Sequence, residues 1–334
     1  MTINTVLIFL INILKFFLVN FLPILVCVIF YTLAERKAMA SVQRRLGPSY
    51  ITRQGLAQPL ADGIKALLKE SIIPKRANKI LFIIAPCIVL IIGFGNWSLI
   101  PYIPTDFFLF FEQKNFGDVT IGLFLLLAIS SISVYGVILA GWSSNSKYSF
   151  LGSIRSTAQM LSYEISLTVI IIPLVLCNRT LNLHEIVLAQ ENLWNIWILW
   201  PLAIIFFIIS LAETNRAPFD LPEAEAEIVA GYNIEYSGML FAIFFLAEYS
   251  SMILICVLNV IFFWGGWLFF MGIPSSVFFA FKICIYTFFF VLVRAALPRY
   301  RYDQLMYIGY FNILPISLGL VVIISAITLL TFTA

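Results

Sequence analysis

AETNRAPFDLPEAEAE, residues 212–227, holds five carboxylates, Glu213, Asp220, Glu223, Glu225 and Glu227, with one base, Arg216, directly after a run of apolar residues. Two further acids, Glu164 in QMLSYEISL and Glu248 in FFLAEYSSM, lie inside apolar stretches. An acidic side chain at the centre of a membrane helix costs about 2.5–3.5 kcal/mol on the insertion scale. Such residues face a bundle interior or a water-containing path by default, and structural hydrogen bonding to a neighbouring helix is the competing account. Carboxylates crowded in a poorly solvated cleft repel one another's charge, so they exchange protons near neutral pH as a coupled set. That property suits a proton relay. It also lets a negative charge arriving nearby change how many protons the set holds.

The spacing of the cluster predicts a short helix. Pro222 suits a first turn, Glu223 and Glu225 near the N-terminus are favoured by the helix dipole, and Gly231 can end it. Glu223 and Glu227 share a face one turn apart, while Glu225 points elsewhere. A plain solvated acidic helix would have the same spacing.

Bases gather in two motifs, ERKAMASVQRRLGP (35–48) and VRAALPRYRYDQ (293–304). Arginine beside aromatic and apolar residues can line a tunnel for an amphipathic molecule and stabilise an anionic form of it. Positive-inside anchoring and docking to a soluble partner would use the same residues.

The elements that must hold these side chains are set by composition. The 334 residues are 62% hydrophobic and 11% charged, with a mean hydropathy of +1.01. A soluble domain carries roughly a quarter charged residues. The apolar runs are long and continuous rather than short and alternating, which excludes a β-barrel. The expected fold is all-α, a polytopic membrane protein of one domain with about eight transmembrane helices. They run approximately over 3–33, 79–100, 118–141, 157–177, 196–213, 238–262, 277–297 and 306–332, each near the ~20 residues a bilayer core needs. On these bounds Glu164 lies about 11 Å and Glu248 about 15 Å along their helices.

Orientation follows from the bases. Ten lie in 35–79, two in 142–156, one in 213–237 and three in 294–303, sixteen of the chain's 20. That bias puts these four connections on the matrix or cytoplasmic side, with both termini opposite. Lys15, Lys114 and Arg179 fall at the far side, and Lys282, a few residues into the seventh span, is expected to snorkel outward.

Within the first inner connection, Leu56, Leu60, Ile64, Leu67 and Leu68 form one face of a helix that starts near Pro59 and ends before Pro74. Asp62, Lys65 and Lys69 lie off that stripe. A short amphipathic surface helix is the economical reading, and a helix packed under another subunit is the alternative.

Five scattered cysteines, Cys27, Cys87, Cys177, Cys256 and Cys284, argue against a disulfide framework, a zinc site or an iron–sulfur site made by this chain alone. They read as small buried apolar residues. His184, the one histidine, reads as solvated or capping rather than metal-binding. No phosphate-binding glycine loop or GxSxG is present. The N-terminal MTINTVLIFLINILKFF lacks a basic n-region and a small-residue cleavage site, so it reads as the first span. Heavy use of Ile, Phe, Asn and Tyr favours an AT-rich organellar genome.

Taken together the motifs are specific. ERKAMASVQRRLGP, GLAQPLADGIKALLKE, GWSSNSKYSFLGSIRSTAQMLSYE, AETNRAPFDLPEAEAEIVAGYNIEYS, FFLAEYSSM and PRYRYDQLM, in that order, resemble subunit 1 of respiratory complex I, the H subunit of bacterial enzymes. The likeness covers nearly the whole chain, and the ETNRAPFD form is similar to the respiratory rather than the plastid branch. Ser49 stands where many members have Asn.

The resemblance implies a subunit of the proton-translocating NADH:ubiquinone oxidoreductase with no redox centre of its own. FMN and iron–sulfur clusters would sit in partner subunits. It implies that Arg36, Arg45, Asp62, Arg216, Asp220, Arg294 and Arg299 occupy quinone-tunnel positions. Glu164, Glu213, Glu223, Glu225, Glu227 and Glu248 would form the acidic path from the quinone cavity to the neighbouring membrane subunits. The implied partners are those membrane subunits, the quinone-site subunits of the peripheral arm, ubiquinone and lipid, with no nucleic acid. The implied location is the mitochondrial inner membrane, or alternatively a bacterial plasma membrane. The membrane anchor of an energy-converting hydrogenase and a proton or cation antiporter are the competing readings of the same residues.

Overall fold

The computed structural model describes residues 21–101, 119–220, 231–268 and 275–333. Among them the regular elements are helices. In chain order the α-helices of six residues or more are α1 (Leu22–Val42), the short α2 (Gln58–Leu68), α3 (Lys79–Gly95), α4 (Gly122–Ser143), α5 (Lys147–Asn178), the short α6 (Leu183–Leu188), α7 (Trp200–Glu213), α8 (Gly238–Phe263), α9 (Ser275–Ala296), α10 (Tyr302–Tyr307) and α11 (Leu314–Thr333). A π-helical turn, Ile308–Ile313, joins α10 to α11.

Six of these are long and apolar enough to cross a membrane: Lys79–Leu99, Gly122–Ser143, Lys147–Asn178, Gly238–Phe263, Ser276–Ala296 and Tyr302–Leu330. The second, third, sixth, seventh and eighth expected spans coincide with five of them to within about five residues. The fifth is shorter than expected. α7 has 14 residues, or about 21 Å of helix, less than a bilayer core of ~30 Å. Of the first expected span only the part from residue 21 onward is described. There α1 runs nine residues past position 33, so Glu35 to Ser41 are helical rather than a connection.

The fourth span is corrected at its inner end. α5 starts at Lys147, not near 157, where the Ser146 hydroxyl caps it by accepting from Ser149 N–H at 3.3 Å. Hydropathy missed this turn because Ser153, Ser156 and Thr157 are polar. Each spends its hydroxyl on a carbonyl one turn back, so helix costs it no unmet partner. The connection over 142–156 shrinks to the three residues 144–146. Glu164 is then seventeen residues from its helix start, about 26 Å.

α8 is the hub. Every residue from Met252 to Phe263 is buried, as expected of a helix apolar on all sides. α3 and α4 approach closely at Gly136, where an added Cβ would stand 2.3 Å from Val89 Cγ2. The four basic connections meet at one end of the bundle. Asn78 N–H bonds Ser143 C=O at 3.0 Å, Asn145 Nδ2 bonds Arg76 C=O at 3.2 Å, and Tyr300 N–H bonds Pro218 C=O at 3.1 Å. At the other end Leu123 N–H bonds Leu181 C=O at 3.1 Å and Gln190 Nε2 bonds Ile261 C=O at 2.8 Å.

Three smaller expectations change. Of the cysteines only Cys256 is buried, and Cys27 and Cys284 are exposed on outward helix faces. Asn182, not His184, caps α6, accepting from His184 N–H at 3.0 Å, and the His184 ring lies 5.3 Å from that of Trp267. Lys282 does not snorkel outward. It is buried, and its Nζ donates to the carbonyls of Trp264 (2.6 Å), Gly266 (3.0 Å) and Leu268 (3.3 Å), with the Trp194 ring 4.4 Å away. Carbonyls left over past the last turn of α8 accept a buried ammonium as water would. Lys15 and Lys114 lie outside the described residues.

Candidate functional site

α2 is the predicted amphipathic helix. Leu60, Ile64, Leu67 and Leu68 are all exposed. Leu60, Ile64 and Leu67 of that stripe, with Pro59, Asp62 and Gly63, line a cavity of about 640 Å³ that α2 shares with α1 and α8. Leu25, Val28, Phe241 and Phe245 supply apolar wall, and Thr32, Arg36, Asp62 and Tyr249 supply polar groups. Arg36 Nη1 donates to Asp62 Oδ2 at 2.7 Å, and Gln58 Nε2 to Asp62 Oδ1 at 3.2 Å. Arg36 and Asp62 are about half exposed, so the pair contributes only about 0–1 kcal/mol. Its place on the cavity wall matters more than its strength.

Behind that wall lies a buried ionic knot. Glu35, 3% exposed, takes Arg294 Nη1 at 2.5 Å and Arg216 Nη1 at 3.6 Å on Oε1, and accepts from Tyr249 Oη at 2.7 Å on Oε2. The Arg216 guanidinium also stacks 4.3 Å from the Tyr249 ring centre. Glu35 sits on the inner extension of α1, outside the apolar run that ends at Ala34. Burial pushes its carboxyl up, but the charges of Arg216 and Arg294, with hydrogen bonds from Tyr249 and Arg294, outweigh this and hold it below the usual carboxylate range.

Arg216 is presented by the segment that follows α7. Gln159 of α5 ties that segment down, its Nε2 donating to Ala212 C=O at 3.0 Å and Phe219 C=O at 2.8 Å. Asn215 adopts φ 49°, a left-handed position that asparagine tolerates, and turns the chain back over α7. Asp220, buried, receives Arg299 Nη2 at 3.2 Å.

A second, narrower cavity of about 110 Å³ lies on the other side of α8. Glu164 of α5, Glu213 of α7 and Glu248 of α8 all line it, with Asn96, Thr214, Asn215 and Ser251. Glu213 Oε2 is buried without a hydrogen-bond partner, as are Asn96 Oδ1 and Asn215 Oδ1. Three acids far apart in sequence thus share one cavity.

Of the residues singled out in sequence, Arg36 and Asp62 line the larger cavity, Arg216 and Arg294 grip Glu35, and Arg299 pairs with Asp220. Arg45 stands apart, exposed, with its Nε on Gln43 Oε1 at 2.8 Å. Glu223, Glu225 and Glu227, with the helix expected around them, lie outside the described residues. Sequence reasoning missed Glu35, Tyr249, Asn96 and Asn215. Glu35 reads as the boundary charge of a span, and a tyrosine or asparagine in such a chain carries no signal until its neighbours are known.

A family model described as NADH dehydrogenase matches residues 15–325. The chain belongs to this family. Among its relatives, NADH-ubiquinone oxidoreductase chain 1 of Chondrus crispus is 50% identical over 327 residues, covering 96% of this chain and 98% of that protein. Chain 1 of Arabidopsis thaliana is 52% identical over 317 residues, 93% of this chain and 95% of that protein. A bacterial relative, from the NADH-quinone oxidoreductase of Pelagibacter ubique, is 48% identical over 310 residues, 91% of each. As a family member the chain is an oxidoreductase subunit embedded in a membrane, and the two cavities flank the helix that carries Glu248 and Tyr249.

Proposed function

We propose that the chain is the membrane subunit of a proton-translocating NADH:ubiquinone oxidoreductase that both admits the quinone and answers its reduction with proton movement. The larger cavity, apolar with a few polar groups, suits an isoprenoid tail and a polar head. Arg36, Asp62, Arg216, Asp220, Arg294 and Arg299 line or brace the way to the reduction site. Arg45, on the exposed inner face, serves docking of the peripheral arm. Electrons come from iron–sulfur clusters and FMN held by partner subunits. Glu164, Glu213 and Glu248, continued by Glu223, Glu225 and Glu227, form the acid path toward the neighbouring membrane subunits. The mitochondrial inner membrane is the setting we favour.

One observation carries this reading. Tyr249 and Glu248 are consecutive on α8, yet Tyr249 lines the larger cavity and bonds Glu35, while Glu248 lines the acidic one. A change of charge on the quinone side therefore reaches the acids through a single helix wall and one buried ion cluster, in a medium where charges are poorly screened.

The test uses the intact complex. A photoreactive quinone should label residues of α1, α2 or α8 that line the larger cavity. Glu164→Gln and Glu248→Gln should lower the protons moved per electron while the complex still assembles. Labelling confined to other subunits, with normal pumping in both variants, would overturn the reading. A hydrogenase anchor or a stand-alone antiporter would give no quinone labelling.

A further inference from the structure

The acidic cavity reaches farther toward the end opposite the basic connections than its acids require. Along α8 its lining runs from Phe244 to Phe262, about 27 Å of helix, nearly the ~30 Å of a bilayer core. Past Glu248 and Ser251 the wall continues through Leu254, Leu258 and Phe262, opposite Leu126 and Leu123 near the outer start of α4. No lysine, arginine or histidine is among the described residues lining it.

Polar groups mark its length. Asn96 and Asn215, 5% and 7% exposed, line the cavity with buried Oδ1 atoms that have no partner. Leaving a buried amide unsatisfied costs about 1–3 kcal/mol. A water needs roughly 10–15 Å³ of such cavity space, so the cavity has room for several, and water meets such groups whichever way the amide is turned.

We propose that this cavity is a proton outlet, leading from the acid cluster to the outer face within this chain itself. Asn96 and Asn215 hold water along it. Leu123, Leu126, Leu258 and Phe262 form an apolar constriction that conducts when wetted and seals when dry. The outlet rests on the reading of Glu164, Glu213 and Glu248 as proton carriers, and it assigns the chain a transmembrane route of its own.

The test is resting proton permeability of the intact complex in proteoliposomes, followed with a pH-sensitive dye inside. Leu258→Asn puts a polar side chain in the constriction and should raise the resting leak severalfold over wild type. Adding Glu248→Gln should suppress that leak, because the outlet draws on the acids. Vesicles as tight as wild type, or a leak that Glu248→Gln leaves unchanged, would overturn the outlet. Should Leu258→Asn fail to assemble, Asn96→Leu decides: fewer protons per electron supports the outlet, and a normal ratio refutes it. Normal pumping in Glu164→Gln and Glu248→Gln would instead remove the acid path. Lost pumping there beside tight Leu258→Asn vesicles would remove the outlet alone.

Discussion

Tyr249 Oη donates to Glu35 Oε2 at 2.7 Å across 214 residues of sequence, closing a buried cluster that Arg216 and Arg294 complete. Four side chains from α1, α8, α9 and the segment after α7 meet there, so the cluster fixes how those elements sit together as well as the charge behind the larger cavity.

Glu35→Gln leaves two guanidinium groups facing a neutral amide, one of them, Arg216, with a side chain only 4% exposed. Breaking a buried ion pair from one side costs about 3–5 kcal/mol. Thermal inactivation of the variant complex should come at a distinctly lower temperature. Tyr249→Phe removes one hydrogen bond to a charged group and should cost less, about 1.5–3 kcal/mol.

The depressed carboxyl of Glu35 fixes the sign of a pH effect. A group whose folded value lies below its unfolded one contributes stability that is present above the unfolded value and lost as pH falls through the folded one. The stability gap between wild type and Glu35→Gln should therefore hold from neutral pH to near the ordinary value of 4.5 and close only below it. A gap that already closes between pH 7 and 6 would contradict this.

Gly63 of α2 lines the larger cavity, and a Cβ added there would meet nothing within 4 Å. Gly63→Ala should stabilise α2 by about 0.5–1 kcal/mol and leave quinone kinetics alone. Gly63→Leu extends into the space and should raise KM for a long-tailed quinone severalfold, with little change in kcat. Such a split marks lost ground-state binding.

Lys282→Met keeps the length of the side chain and removes all three hydrogen bonds to the segment that follows α8. Carbonyls that lose a buried partner cost about 1–3 kcal/mol each, so the thermal midpoint should fall and proteolysis just after Phe263 should quicken. An unchanged midpoint would show that water takes over the role.

How much of this was legible beforehand depended on whether the signal was local. α2 followed from its leucine spacing and two prolines, and α3, α4, α8 and α9 from unbroken apolar runs. The inner turns of α5 were not legible, because serine and threonine that satisfy themselves within a helix look like a polar connection to a hydropathy scale. Lys282 misled for a related reason. A lone charge near a span's end reads as reaching for water, and only the fold placed three carbonyls around it.

By itself the sequence determined that the chain belongs in a bilayer, which connections share a face, and that Glu164, Glu213 and Glu248 must have some polar environment, because desolvating charge in lipid is costly wherever it occurs. Only the tertiary structure decided which side of α8 each group serves. Consecutive residues on a helix point about 100° apart, so Glu248 and Tyr249 could fall to different cavities only once α1, α2, α5 and α7 had packed around them.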